Sequence, residues 1–426
     1  MKQILITNAY SYKNKGDAGI ILSMIDYLKE EFPDSNILVM SRNYKENKEF
    51  YDKKYNNVTS IQPLWFIDNN LNGNKVLQLM FSILSLLKIL FIMLLFKISS
   101  DKRKEKVINN NPEIQAYIKS NLICSCGGGY LFSTNKWPIS IGLYQHLFHI
   151  FAGKFFNRKV VMFPQSLGPI NKKIDMFLLK KTLNKVDMIY PREKYSKALI
   201  DKKLLVSKNN YQQLPDIAFI MESESFDIKY FKDNNQKIKI GVTVLDWHWA
   251  YADPEEGKKK VKVYLENLAS TLDHLIEKYQ AEVYVVPQVV VGKEDNDVIA
   301  SEELIKLISS KRHVHLITDD LTPKELKYLY GTFDMFIGSR MHSCIFAIGA
   351  GTPTIGLSYQ PKTTGTFEFI GLFNKTLPVD NYTSKELNEI SEEILDNLHN
   401  AKEECINIAN QTKKSIVGSI GSYLRV

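Results

Sequence analysis

The chain has 426 residues, 44% of them hydrophobic and 24% charged, which is enough for two folded domains and excludes a disordered or low-complexity polymer. Its net charge of +8 is spread over many lysines, with no dense basic patch interleaved with aromatics, so nucleic acid is not an expected partner. A mildly basic surface suits anionic substrates or an anionic membrane face instead.

The first unit reads as strand (KQILITN), loop (AYSYKNKGDA), helix (GIILSMIDYLKEEF) and strand (NILVMS). That alternation predicts a parallel sheet with helices on its faces. The opening MKQILITNAYSYKNKGD lacks the long apolar core of a secretion signal, so a cytoplasmic protein is expected. Leu77 to Ile98 reads LQLMFSILSLLKILFIMLLFKI and is followed by DKRKEK. Lys88 in its middle would cost a bilayer span about 2.5–3.5 kcal/mol. The favoured expectation is a helix lying on the inner face of the cell membrane, its lysines near the headgroups. A buried helix or a true span are the other two readings.

Further on come NLICSCGGGYLF (strand into a Gly-rich turn), a helix around IGLYQHLFHIFAGKFF, the strand KVVMFPQSLGP, a helix from Asp175, another strand and helix in MIYPREKYSKALIDKKL, and LPDIAFI. The polar stretch 221–237 is the expected linker. The second half restarts the alternation with KIKIGVTVL and carries it to TPTIGLSY, before a largely helical tail from Ser384. Two Rossmann-like α/β domains are therefore expected. The N-terminal domain covers 1–225 with its hydrophobic helix at about 77–98, the C-terminal domain 235–383, and a helical tail 384–426. Ligands of such sheets bind beyond the carboxyl ends of the strands.

Polar clusters sit at those ends. Asn8 to Asp17 forms the first strand-to-helix loop, with Gly16-Asp17 either a helix cap or a ligand contact; its spacing is not GxGxxG. Gly127, Gly128 and Gly129 either cradle an anion or sugar or make a sharp turn. Gln165 and Ser166 sit on a loop stiffened by Pro164 and Pro169, and Arg192 ends another strand. In Arg340-Met341-His342, residues two apart in an extended segment face the same side. The helix that follows turns its N-terminus toward them, which makes an anion site; a salt bridge plus a capping His is the bland alternative. Lys362 follows the next strand. His146 with His149, and His313 with His315, have no third metal ligand and read as structural or surface groups. Cys124 and Cys126 likewise read as buried strand residues. Trp247 and Trp249 either stack on a sugar or pack at a domain junction.

In order along the chain, NKGDA, CGGGYLF, FPQSLGPI, YPREKYSKAL, LPDIAF and GSRMHSCIFAIGAGTPTIGLSYQPK resemble the polysaccharide pyruvyl transferase family. The resemblance implies a glycosyltransferase-B-like (GT-B-like) fold with an interdomain active-site cleft. It implies transfer of pyruvate from phosphoenolpyruvate, as co-substrate, onto two hydroxyls of a sugar in a cell-surface or exopolysaccharide precursor, giving a cyclic ketal and phosphate. Arg192 and Arg340, with Lys362 and Ser343, would hold the donor, and His342 and Arg340 would be catalytic, His342 as the general acid. The acceptor would be a glycan or lipid-linked oligosaccharide. No metal-ligand constellation is seen, no other cofactor is expected, and metal dependence is left open. Two alternatives stand: a GT-B glycosyltransferase with a nucleotide-sugar donor, for which Glu368 is the nearby ribose candidate, and a non-catalytic component of a polysaccharide assembly complex.

Overall fold

The computed structural model describes residues 2–66, 75–134, 139–231, 237–291 and 295–425, so residues 232–236 of the expected linker lie outside the described residues. The chain forms two compact units. Unit 1 comprises Met1–Tyr12 and Met24–Gln213, and unit 2 comprises Lys13–Ser23 and Leu214–Val426. The head of the first helix, α1 (Lys15–Glu31), thus belongs to unit 2 although its neighbours in sequence belong to unit 1.

Unit 1 is built on seven parallel strands: β1 (Gln3–Ala9), β2 (Asn36–Ser41), β3 (Val58–Ile61), β4 (Leu122–Ser125), β5 (Gly128–Leu131), β6 (Lys159–Leu167) and β7 (Met188–Pro191). Their order is β3-β2-β1-β4-β6, with β5 and β7 both paired to β6. Runs such as Ile4-Leu5-Ile6 and Val160-Val161-Met162-Phe163 are fully buried, as expected of strands covered on both faces.

In unit 2 the main sheet contains β8 (Lys239–Thr243), β9 (Glu282–Val285), β12 (Val314–Leu316), β13 (Met335–Gly338), β14 (Thr354–Ser358) and β15 (Thr376–Pro378). A two-stranded antiparallel ladder, β10 (Val290–Val291) and β11 (Asp295–Asn296), stands apart from it. The order β12-β9-β8-β13-β14-β15, all parallel, is the 3-2-1-4-5-6 order of a doubly wound sheet. Strand order reverses between β8 and β13, and the carboxyl ends of those two strands frame the crevice that such a sheet offers a ligand. The helices of the tail, Ser384–Asp396 and Leu398–Leu424, belong to unit 2 and bury Leu387, Ile394, Ile416 and Ile420.

Three local expectations change. LPDIAFI, expected to close the first half, lies in unit 2, where Ile217–Ile220 forms a 3-10 turn. Gln165 and Ser166 lie within β6 rather than on a loop, because the strand continues through Pro164. The cap of α1 is Asn14, whose side-chain oxygen accepts from the backbone N–H of Gly16 (3.1 Å) and Asp17 (3.3 Å); Asp17 itself sits inside the first turn.

β8 runs through the middle of its sheet, and a β-carbon at Gly241 would lie 2.7 Å from the Phe336 ring and against Phe333. Gly241→Ala should therefore lower stability by about 1–3 kcal/mol through overpacking, read as a drop in the urea midpoint. An unchanged midpoint would mean that the aromatic layer relaxes freely.

Candidate functional site

The sequence between β13 and the helix Met341–Gly349 lies at the switch point of unit 2. Gly338 ends β13 where a β-carbon would lie 2.9 Å from Phe336 and 3.1 Å from the Ser343 hydroxyl, so the chain turns back tightly into the helix. Ser339 is pinned by its N–H to the Thr243 carbonyl (3.0 Å) and by its hydroxyl against Tyr264 (2.7 Å). Ser343 is fully buried; its hydroxyl donates to the Arg340 carbonyl (2.6 Å) and lies 2.7 Å from that of Thr243. These contacts lock the turn that presents Arg340 and His342.

Arg340 is the helix N-cap residue and is held by Asp297. Its Nη2 donates to Asp297 Oδ1 at 2.6 Å, and its Nε lies 3.2 Å from both carboxylate oxygens. Asp297 is 1% exposed and also accepts the N–H groups of Val289 (2.9 Å) and Gln288 (3.2 Å). Burial pushes its pKa up, against the pull of Arg340 and the two backbone donors.

His342 lies inside the first helical turn, not on an extended segment. The two side chains therefore do not share a face by strand pitch; each has its own carboxylate. His342 Nε2 stands 3.7 Å from Asp216 Oδ2, within ion-pair range but beyond a hydrogen bond, and makes no hydrogen bond among the described residues. Asp216 is 1% exposed and its other oxygen accepts from Ala218 N–H (2.9 Å). A β-carbon at Gly16 would lie 2.8 Å from His342 Cγ, and one at Gly19 would lie 2.8 Å from the Phe346 ring. The glycines of NKGDAG therefore let α1 close directly on the face that carries His342. Lys362 sits in the first turn of the helix Pro361–Phe369, at the carboxyl end of β14, the strand next to β13.

Unit 1 gathers a second group of the expected residues. Arg192, 2% exposed, donates from Nε to Ser166 Oγ (2.7 Å), and its backbone N–H donates to the Gln165 carbonyl (3.1 Å). A β-carbon at Gly129 would lie 3.2 Å from Arg192 Nη2. Gly127 leads into β5, which Gly128 and Gly129 open, and the missing side chain of Gly129 leaves room for the guanidinium. Gln165 is fully buried, with a side-chain oxygen that meets no partner among the described residues.

Asn8 lies elsewhere, at the carboxyl end of β1, with φ +62°. Its amide donates to Ser125 Oγ (3.1 Å) and to the His146 carbonyl (3.3 Å), and its oxygen lies 3.0 Å from His146 Nδ1. Here a cavity of about 600 Å³ opens at the carboxyl ends of β1, β2 and β3, lined by Tyr10, Arg42, Tyr44, Gln62, Trp65, Gln145 and His146 among others. The buried Gln145 amide nitrogen has no partner among the described residues. His149, fully desolvated, sits 2.9 Å from the Tyr117 hydroxyl and 3.1 Å from the Trp65 carbonyl, and burial pushes its pKa down to about 4. Burial lowers His146 as well.

Sequence reasoning missed Asp216 and Asp297. Asp216 lay inside a noted motif, LPDIAF, while Asp297 carries no local signal because its partner is 43 positions away. Among the described residues no group of three or more His, Cys, Asp or Glu side chains is placed to hold a metal ion.

Two doubly wound parallel-sheet units define a GT-B-like α/β protein, and solved structures agree. A UDP-N-acetylglucosamine 2-epimerase of Listeria monocytogenes, described as putative in its own title, superposes with a TM-score of 0.58 at 10% identity, over 99% of this chain and 94% of that one. Anabaena HepE, solved with UDP, gives 0.57 at 12% over 100% and 98%. A glycosyltransferase of Rickettsia africae gives 0.53 at 13% over 98% and 93%. At these identities the likeness is one of fold. The polysaccharide pyruvyl transferase family model matches residues 14–361, and the chain belongs to that family, one of transferases of polysaccharide biosynthesis. It is also 22% identical over 233 residues to the amylovoran biosynthesis protein AmsJ of Erwinia amylovora, a match spanning 53% of this chain and 55% of that protein, about half the length of each.

Two outcomes follow. Below pH 6.5 the unfolded chain takes up a proton at His149 that the folded chain refuses until about pH 4, so stability should fall by about 3 kcal/mol across that window. The urea midpoint of His149→Gln should show a flatter pH slope than wild type; parallel slopes would assign the loss elsewhere. Gly16→Ala should push the His342 ring aside and cut turnover by about 100-fold with the fold retained by circular dichroism. Wild-type turnover in that variant would show the close approach to be dispensable.

Proposed function

We propose that the protein transfers pyruvate from phosphoenolpyruvate to two hydroxyls of a sugar in a polysaccharide precursor, forming a cyclic ketal and releasing phosphate. The observation that carries this reading is His342: a nearly buried imidazole in the first turn of a helix at the switch point, facing a buried carboxylate, with Arg340 as the cap of the same helix. A carboxylate and a phosphate on one small donor suit a guanidinium and a helix N-terminus. In this reading Arg340, Lys362 and the N–H groups of the 341–349 helix bind the donor in unit 2. Arg192, beside Ser166 in unit 1, is assigned to an anionic group bound by that unit.

The chemistry divides into two steps. His342 gives a proton to the methylene carbon as one sugar hydroxyl adds to the adjacent C2, and that hydroxyl's proton returns to the imidazole. The second hydroxyl then displaces phosphate at C2, and its proton leaves with the phosphate. Asp216 pairs with the imidazolium whenever His342 holds its proton, and the ketal forms with no net change of oxidation state. The unit 1 cavity, with amides, a guanidinium and aromatic faces, is assigned to the acceptor glycan. The enzyme works in the cytoplasm in this reading.

The GT-B-like neighbours favour one second reading, a glycosyltransferase with a nucleotide-sugar donor. Thermal shift separates the two, since phosphoenolpyruvate should raise the melting temperature and a UDP-sugar should not. For the first reading, His342→Ala should slow ketal formation by roughly 100- to 10,000-fold in single-turnover assays with labelled phosphoenolpyruvate. Asp216→Asn should lose less and keep donor affinity. Near-normal ketal formation by His342→Ala would remove the general-acid role.

A further inference from the structure

The helix Lys75–Ile98 belongs to unit 1; its Leu79–Ile98 stretch is long and apolar enough to cross a membrane, and only 11% of it is buried, along one side. On one side Met93 is fully buried and Ser82 nearly so; the Ser82 carbonyl accepts from Trp65 Nε1 at 3.0 Å, and Phe96 meets Phe156 edge-on at 5.6 Å. Leu86, Ile89 and Leu90 lean on the same core. On the other side Met80, Leu84, Leu87, Phe91, Leu94 and Ile98 are each at least half exposed. Their alternating steps of four and three place them on one stripe about 27 Å long. Soluble surfaces rarely leave so continuous an apolar band bare.

Charge decides what covers it. The helix carries Lys75, Lys88 and Lys97 and no carboxylate. The next helix, Asp101–Asn110, has no buried residue and opens with DKRKEK, four cations against two acids. A second copy laid along the stripe would bring Lys88 toward Lys88 with no acid of either helix to answer it. A bilayer span would have to strip Met93 and Ser82 from the unit 1 core. An anionic lipid surface meets both demands: the stripe enters the acyl boundary while Lys88, on its flank, and the cations of the 101–110 helix reach lipid phosphates.

We infer that the 75–98 helix docks unit 1 flat on an anionic membrane surface through its Met80–Ile98 stripe. This inference goes beyond the donor chemistry and does not depend on it. The docked helix is hydrogen-bonded to Trp65, a wall of the unit 1 cavity, so docking ties that wall to the lipid-bound helix.

Vesicle flotation of the full chain tests it. Wild type should float with phosphatidylcholine vesicles containing phosphatidylglycerol, far less with phosphatidylcholine alone, and should be released by high salt. Leu87→Glu/Phe91→Glu should cut the bound fraction at least ten-fold. Lys102→Glu/Arg103→Glu should remove the preference for the anionic lipid while leaving the melting temperature unchanged. Three results would overturn the inference. They are equal flotation of wild type and the Leu87/Phe91 variant, resistance of the vesicle-bound chain to alkaline carbonate extraction (a span), or no flotation with a dimer in sedimentation equilibrium that Leu87→Glu disperses.

Discussion

The ion pair between Arg340 and Asp297 is the interaction on which the unit 2 site depends. Asp297 opens the helix Asp297–Leu307, and its carboxylate takes the backbone N–H groups of Gln288 and Val289 as well as the guanidinium. One buried group thereby ties the loop after β9, the helix that follows and the turn after β13 to a common point. Removing either partner would leave an uncompensated buried charge, at about 3–5 kcal/mol. The pair also fixes the direction in which the guanidinium leaves the helix cap, so geometry and stability rest on the same contact. Buried ion pairs seldom add much net stability over a well-packed apolar substitute, but they do specify one arrangement.

Close approach is the second constraint. Gly338 lets the 341–349 helix fold back onto β13, and Gly16 and Gly19 let α1 lie against that helix. A methyl group at any of these points would separate surfaces that have to touch for His342 to keep its place. Here glycine is required for its missing β-carbon and not for an unusual backbone angle; none of the three has positive φ. Because the head of α1 joins unit 2, a motif near the N-terminus serves a histidine more than 300 positions away.

Much of this was legible in the sequence. The β-α alternation announced two parallel sheets, and apolar runs ending in polar residues located the strand ends where Arg192, Arg340 and His342 sit. The ordered motifs pointed to the family. What escaped was whatever depends on long-range pairing. Asp297 and Asp216 answer side chains that lie far along the chain: no local pattern marks Asp297, and the LPDIAF motif that contains Asp216 does not name His342 as its partner. Ser343, expected from the resemblance to hold the donor, also serves as a strut between Thr243 and the Arg340 carbonyl, which no sequence pattern shows. Two residues apart in an extended segment would have faced together, but the helix begins one residue earlier than that argument needs. The apolar run at 77–98 was visible, whereas which of its faces is covered is a tertiary fact.

The Asp216–His342 separation is itself informative. At 3.7 Å with no hydrogen bond, the carboxylate does not hold the ring in place by its own geometry. The ring lies so close to α1 that a β-carbon at Gly16 would clash with it. Asp216 instead sets a buried carboxyl group beside a mostly buried ring, where a charge on it would act on a positive imidazole more strongly than in solvent. Orientation and charge are thus set by different parts of the chain, α1 for the first and the Ile217–Ile220 turn for the second. Substitutions at Gly16 and Asp216 should therefore impair the same imidazole in separable ways, one by moving it and the other by leaving its charge unanswered.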